Sequence, residues 1–392
     1  MRIAIDLTST PRNKTGIGRY MLGLIEGLRK TDRENEYFLF VQDDDLDGFP
    51  APESNFTIVP VKSRILRKQY IRIIWEQVVF PWRLRKLNID VLHSPNFTMP
   101  YTRSLVCNKM AVVDTFHDMT YFFLPEFHVG WKREFFKAYI KLTAPRCEKI
   151  VTVSKNSAAD IPKYCKLKNP DVSVTYMGVK SDFFEGAKAT PEVLSKYGVS
   201  GRYIYYVGTL EPRKNVPGLI EGYKGLPKEI RDEYSLVITG KKGWLFDEIF
   251  RTVEENPELK GRVIFTGFVD DEDMVPMMKG ASVSAYVSFY EGFGLPVIEG
   301  MASGVPTVTS YGSSLEEIAG GHCLLSTPRE PSTITDALLR GIEISKKAEE
   351  GDQQALSLIK GAEDHARTFN WEEFALKTEA AYKEAYEVRH GR

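Results

Sequence analysis

Short β-branched runs alternate with longer amphipathic stretches along nearly the whole chain, and this alternation limits the fold more than any other feature. In the first half "RIAIDL", "YFLFV", "FTIVPV", "DVLHS", "MAVVDTF", "KIVTVS" and "VSVTY" read as strands. In the second half "YIYYV", "SLVIT", "RVIFTG", "SVSAYVS", "PTVTS" and "CLLS" do the same. Helical patterns lie between several of them, at 18–29, 66–87 and 131–147. Strands apolar on both faces need cover on both, which indicates parallel sheets flanked by helices. A chain of 392 residues is too long for one such core, so two doubly wound α/β domains are expected.

The stretch 178–202 interrupts the pattern with glycines, a proline and small polar residues, and reads as the interdomain linker. The expected layout is an N-terminal Rossmann-like domain at 1–180 and a second at 181–370. A last amphipathic helix at 371–392 is expected to cross back to the first domain. Ligands bind such sheets at the carboxyl ends of their strands, so a central cleft between the two domains is the expected site.

The net charge of −1 conceals an asymmetry: residues 1–180 hold 28 Lys and Arg against 19 Asp and Glu, the remainder 24 against 34. A basic half suggests an anionic partner, although charge also varies between domains for no such reason. Nucleic acid is not expected, since no recognition module is visible and the overall charge is near zero. No run of 18 apolar residues occurs, and "MRIAIDLTST" reads as a first strand rather than a leader. Four cysteines without CxxC spacing argue against a zinc site or disulfide framework, and a reduced, cytoplasmic compartment is expected.

The stretch "FYEGFGLPVIEGMASGVPTVTS", 289–310, carries two carboxylates in apolar surroundings, Glu291 and Glu299. Pro296 suits the start of a helix, and Gly304 with Pro306 its stop, so a helix over 296–303 is expected with Glu299 in its first turn. A helix N-terminus offers unpaired N–H groups and a positive dipole end to phosphate. Gly292 and Gly294 let the backbone approach a ligand closely. Carboxylates there repel phosphate but accept hydrogen bonds from sugar hydroxyls, so together the features suit a nucleotide sugar. On a plainer reading Glu299 is an ordinary first-turn acid and the glycines only shape a turn.

With its glycine-bracketed aromatic, "EGFGLPVIE" resembles the E-x7-E motif of retaining glycosyltransferases of family 4. "TGIGRY", "HSPNFTMP", "FHDMTYFFLPE", "VTVSKNSAADI", "VGTLEPRKN", "ITGKKGW", "VIFTGFVDDEDM" and "FNWEEFA" follow in that family's order, so the resemblance spans the chain. It is similar above all to the bacterial mannosyltransferase-like subgroup. The resemblance implies the GT-B fold, two doubly wound Rossmann-like domains facing a central cleft. It also implies transfer of a hexose, mannose from GDP-mannose, to a glycan or lipid-linked anionic acceptor in polysaccharide assembly.

Carried over by motif, Glu291 contacts the donor hexose and Glu299 the ribose. Backbone N–H groups of Gly292, Phe293, Gly294 and Leu295 approach sugar and phosphate. Lys214 and Arg213 clamp the diphosphate, Phe268 and Val269 read the base, and His117 lies over the sugar. Gly16 and Gly18 form the loop that meets phosphate and acceptor, although without the resemblance they make an ordinary strand-to-helix turn. Thr209 stands where many members have arginine after the glycine, which removes one expected cation. Glu291, His117, Lys214 and Arg213 are the catalytic candidates; Asp118, beside His117, either orients the ring or shapes the turn. No metal or other cofactor is expected.

Two further signals compete. Asp45-x-Asp47 in "QDDDLD" has the form of a metal-binding pair, against which stands a merely solvated acidic loop. Segment 62–87 has eight basic residues and one acid, Glu76, among Ile, Trp, Tyr and Phe. It suits an anionic membrane surface, and equally a helix packing its apolar face on the sheet. Peripheral attachment at the inner face of the membrane is one expectation from it. A UDP-sugar-dependent transferase of the same fold, a sugar-nucleotide 2-epimerase and an inactive partner subunit are the other functional readings.

Overall fold

Each run expected to be a strand forms one. The structure, a computed structural model, describes all residues except 11, 13, 15, 50–53, 63, 129, 169 and 392. Thr15 of "TGIGRY" and position 63 of the basic segment therefore lie outside the described residues. The chain divides into two units, Met1–Gly178 with Asn370–Arg392, and Val179–Phe369.

In the first unit, seven strands among the described residues run as β1 (Arg2–Asp6), β2 (Glu36–Gln42), β3 (Phe56–Val61), β4 (Val91–Ser94), β5 (Ala111–Thr115), β6 (Lys149–Thr152) and β7 (Val172–Val174). They pair in parallel in the order β3-β2-β1-β4-β5-β6-β7. The second unit has β8 (Arg202–Val207), β9 (Tyr234–Thr239), β10 (Val263–Gly267), β11 (Val283–Tyr286), β12 (Thr307–Ser310) and β13 (Leu324–Ser326). Their order is β10-β9-β8-β11-β12-β13, again parallel. Winding reverses between β1 and β4 and between β8 and β11, and loops leaving such neighbours diverge to leave a crevice.

The last helix, Trp371–His390, packs on helix Ile17–Thr31 of the first unit. Close approach requires glycine: a Cβ at Gly23 would stand 2.3 Å from the Trp371 ring, and one at Gly27 2.3 Å from the Trp371 carbonyl oxygen. The same helix brings the Tyr382 hydroxyl 2.7 Å from His93 Nδ1, and His93 Nε2 lies 2.8 Å from Thr115 Oγ1.

Two expectations need correction. The stretch 66–87 is not one helix but a 3-10 turn at Arg64–Arg67 and helices Gln69–Val78 and Phe80–Lys86. Pro81 has no N–H for the Gln77 carbonyl, which accepts from the Thr102 hydroxyl instead at 2.5 Å. The stretch 178–202 is no bare linker either. It holds helices Asp182–Glu185 and Pro191–Lys196, and Lys196 bonds to Asp270 (2.7 Å) and Asp273 (2.8 Å) of the second unit.

Candidate active site

The site of the second unit grows from β8 and β11, the two strands at its reversal point. Beyond β8, Gly208 N–H donates to the Thr239 carbonyl at 2.9 Å. A Cβ at Gly240 would stand only 1.8 Å from the Gly208 carbonyl oxygen, so these two strand exits meet because residue 240 is glycine. The chain then turns through Pro212–Lys214 into Asn215, which holds a left-handed conformation at φ 55°. The Asn215 amide donates to the carbonyls of Val287 (3.0 Å) and Pro328 (2.7 Å). Phe289 N–H donates to the Arg213 carbonyl at 2.9 Å. The basic turn is thus tied to the loop leaving β11.

These ties place three of the expected residues in one cluster. Arg213 Nη1 donates to Glu291 Oε2 at 2.6 Å and to the Tyr290 carbonyl at 2.8 Å, while Nη2 donates to Glu211 Oε1 at 3.0 Å. Lys214 Nζ donates to Glu291 Oε1 at 2.7 Å and to Tyr286 Oη at 2.6 Å, and Tyr286 Oη donates to the same carboxylate oxygen at 3.1 Å. Burial alone would raise the Glu291 carboxyl, but the Arg213 and Lys214 charges outweigh it and hold the pKa at about 2. Glu291 is therefore an ionised, weakly basic acceptor, suited to fixing hydroxyls rather than removing protons.

The loop after Glu291 is held from below. Ser314 Oγ stands 2.8 Å from the Glu291 carbonyl oxygen and 2.7 Å from that of Phe293. Gly294, at φ 127°, turns the chain into helix Leu295–Ala302, with Pro296 in its first turn. Because the helix starts at Leu295, Glu299 falls in the second turn rather than the first, buried at 4% exposure. It does not flank the N-terminus as expected. Phe268 (exposed) and Val269 (buried) follow the end of β10. The acids behind them, Asp271, Glu272 and Asp273, occupy the first turn of helix Asp271–Gly280, as their pattern suggests.

In the first unit, Gly16 (φ 36°) precedes helix Ile17–Thr31 and Gly18 lies in its first turn. His117 follows β5; its Nε2 lies 2.8 Å from the Pro95 carbonyl oxygen, and its ring meets Tyr20 edge-on at 4.9 Å between centroids. A carbonyl only accepts, so Nε2 carries the proton. Burial draws the His117 pKa below the usual imidazole value, which keeps the ring neutral. Asp118 accepts from Thr120 N–H (3.0 Å) and its hydroxyl (2.6 Å), so it shapes the turn. The acidic loop is not merely solvated: Asp45 is buried and pairs with Lys14 at 2.5 Å, and Asp44 with Arg67 at 2.7 Å.

Sequence reasoning missed Glu211, Tyr286, Tyr206 and Ser314. Tyr206 stacks on Tyr286 with centroids 5.8 Å apart, and its buried hydroxyl has no hydrogen-bond partner among the described residues. Glu211 lies inside "VGTLEPRKN", the one signal that could have drawn attention to it. The tyrosines and Ser314 are ordinary strand and helix residues until β8 and β11 are known to be neighbours.

Residues 14–183 match the family described as "Glycosyltransferase Family 4", and residues 196–357 that described as "Glycosyl transferases group 1". The chain belongs to glycosyltransferase family 4 and is a glycosyltransferase of the GT-B fold. Among its curated relatives, the O-antigen chain mannosyltransferase B of Escherichia coli is 31% identical over 380 residues, which is 94% of this chain and 96% of that one. Among solved structures, sucrose-phosphate synthase from Thermosynechococcus elongatus superposes with a TM-score of 0.77 at 19% identity, covering 98% of each chain. Anabaena HepE, solved in complex with UDP and glucose, gives 0.68 at 16% identity, covering 97% of this chain and 98% of its own. At such identities the structures speak for the fold.

Proposed function

We propose that the chain is a retaining mannosyltransferase that moves mannose from GDP-mannose to a glycan or lipid-linked glycan acceptor during polysaccharide assembly. The observation that carries this reading is the near full-length relationship to the O-antigen chain mannosyltransferase. In this reading the donor diphosphate lies against Lys214, Arg213 and the N-terminus of helix Leu295–Ala302. Two of the three Lys214 ammonium protons go to Glu291 and Tyr286, and the third serves a phosphate oxygen. Glu291 fixes hexose hydroxyls, Glu299 serves the ribose, Phe268 and Val269 face the base, and His117, neutral, is the first unit's candidate for the sugar.

The reaction breaks the bond between the anomeric carbon and the diphosphate oxygen and forms a bond from that carbon to an acceptor hydroxyl on the same face. The departing phosphate oxygen takes the hydroxyl proton. Negative charge grows on the diphosphate, where fixed cations and backbone dipoles lower the barrier most. Glu291, held by two cations, makes a poor nucleophile and positions the sugar instead. The same cations supply the electrostatic role a metal fills elsewhere, so a chelator should leave the rate unchanged. A lipid-linked acceptor would bring the enzyme to an anionic membrane surface.

The test is thermal stabilisation by GDP, UDP, ADP and their common sugar conjugates, followed by transfer from the preferred donor. A ligand that binds only the folded state raises the midpoint by mass action. Preference for GDP and GDP-mannose, with the anomeric configuration retained in the product, is expected. Preference for a UDP-sugar would replace the donor while leaving the mechanism. Epimerised nucleotide sugar without acceptor, or no response to any nucleotide, would overturn the reading.

A further inference from the structure

Helices Gln69–Val78 and Phe80–Lys86 bury one side and leave the other uncovered. Leu66, Phe80 and Leu84 enter the core of the first unit, with Ile71 and Trp75 packed against it. On the face turned away from the buried Arg72 and Glu76, Tyr70, Ile74 and Val78, four residues apart, are 59%, 62% and 60% exposed. Trp82 continues the stripe at 60% exposure. The Thr102 hydroxyl, bonded to the Gln77 carbonyl, sets a further turn beside the end of the first helix. That turn adds Tyr101, 41% exposed, and Leu105, 84% exposed.

Within the segment that carries this stripe, the exposed charge has one sign. Residues 62–109 contain ten Lys and Arg against two acids, and both acids are engaged elsewhere. Glu76 is buried against Arg72 at 3.1 Å, and Asp90 accepts from the Arg2 backbone N–H at 2.8 Å. Arg67, Arg83 and Arg103 are held by Asp44, the Pro60 carbonyl and Glu148. Lys62, Lys68, Arg85, Lys86 and Lys109 are exposed.

We propose that this face docks flat on an anionic lipid surface, its apolar stripe entering the headgroup region and its lysines and Arg85 meeting lipid phosphates. Aromatic and aliphatic residues on one face, flanked in the same segment by exposed cations, are what an in-plane interfacial helix needs. A second copy is a poor occupant, because pairing the face with itself would set like charges against one another. The proposal deepens the lipid-linked acceptor of the proposed function, and its geometry stands without the donor assignment.

The test is cosedimentation of the full chain with vesicles of phosphatidylcholine alone or containing phosphatidylglycerol. Binding is expected to the anionic vesicles only, and to fall as salt is added. Ile74→Ser with Leu105→Ser, and Lys68→Glu with Lys86→Glu, should each weaken it roughly tenfold or more at unchanged melting temperature, since all four residues are exposed. Equal binding to neutral vesicles, or unchanged binding by both double variants, would overturn the proposal. So would self-association without lipid that the Ile74→Ser, Leu105→Ser variant abolishes, or capture of an acidic protein where vesicles fail. Nucleotide stabilisation should be the same in all variants, so failure here is separable from failure of the donor assignment.

Discussion

At the residue scale, the proposed function rests both binding and chemistry on one carboxylate, Glu291, which Arg213 and Lys214 hold. Glu291→Gln keeps the shape but removes the charge that Arg213 and Lys214 now neutralise. Transfer should fall by roughly 100-fold or more, because a hexose held by a neutral amide is mispositioned in the transition state. Nucleotide affinity should be kept or improved, since the two cations then face the diphosphate uncompensated. Titration calorimetry beside single-turnover rates separates the two effects; equal loss of both would make Glu291 structural. Lys214→Arg should not rescue function, because a planar guanidinium cannot reproduce the two bonds that one ammonium makes to Glu291 and Tyr286. The pH profile follows from the same residues. Glu291 titrates near 2 and His117 below the usual imidazole value, so neither contributes an inflection of kcat around neutrality. An inflection near the ordinary histidine value that His117→Gln removes would show that the ring titrates during turnover.

At the element scale, the contact of helix Ile17–Thr31 with helix Trp371–His390 depends on two missing side chains. Gly27→Val would drive its Cβ into the Trp371 carbonyl and Ala375, and overpacking of that kind costs about 1–3 kcal/mol. Melting temperature should fall, while nucleotide binding, which the proposed function assigns to the other unit, should survive at a temperature where the protein stays folded. The strands were legible because both their faces are apolar, a pattern that survives any arrangement of neighbours. What was not legible depends on partners far away in sequence. The stretch 178–202 has the composition of a linker, yet Lys196 meets Asp270 and Asp273 more than seventy residues on. Pro81 was visible, but the apolar rhythm runs across it and hides the restart of the helix at Phe80. In the site, Glu291 and Lys214 could be named from their motifs, whereas their contact across 77 residues requires β8 and β11 to be neighbours. Strand order is not written in local pattern, so the roles of Tyr286 and Glu211 came only with the sheet. Glu299 was placed a turn too early for a smaller reason: the helix begins one residue before the proline.

At the scale of the whole molecule, the balance of protons sets the stability curve, and its groups pull in opposite directions. Glu291 is depressed to about 2, so its contribution is present above its unfolded pKa and lost as pH falls through the folded one. His93, wholly buried between Tyr382 and Thr115, is drawn down to about 3 by burial and the nearby His117, so acid also destabilises through it. Among the acids of the opposite sense in the first unit, Glu76 and Asp114 are wholly buried and Glu379 only partly. Burial pushes Glu76 up to about 7, against the Arg72 charge and with Asp6 adding to the rise. Asp114 on β5 is raised well above the carboxylate range by burial and by Glu76, and neither of its oxygens has a hydrogen-bond partner among the described residues. An acid raised on folding binds more protons in the native state, so stability falls as pH climbs from the unfolded toward the folded pKa. Asp114→Asn keeps the size and removes the ionisable group without breaking a hydrogen bond. Urea titrations at about pH 5 and about pH 9 should then show wild type losing more stability on the alkaline side than the variant. Glu76→Gln should flatten the curve as well, but at a general loss of stability, because it leaves the buried Arg72 without its counter-charge. Parallel curves for wild type and Asp114→Asn would mean that Asp114 is ionised in the folded protein at neutral pH, and that a cation or water reaches β5.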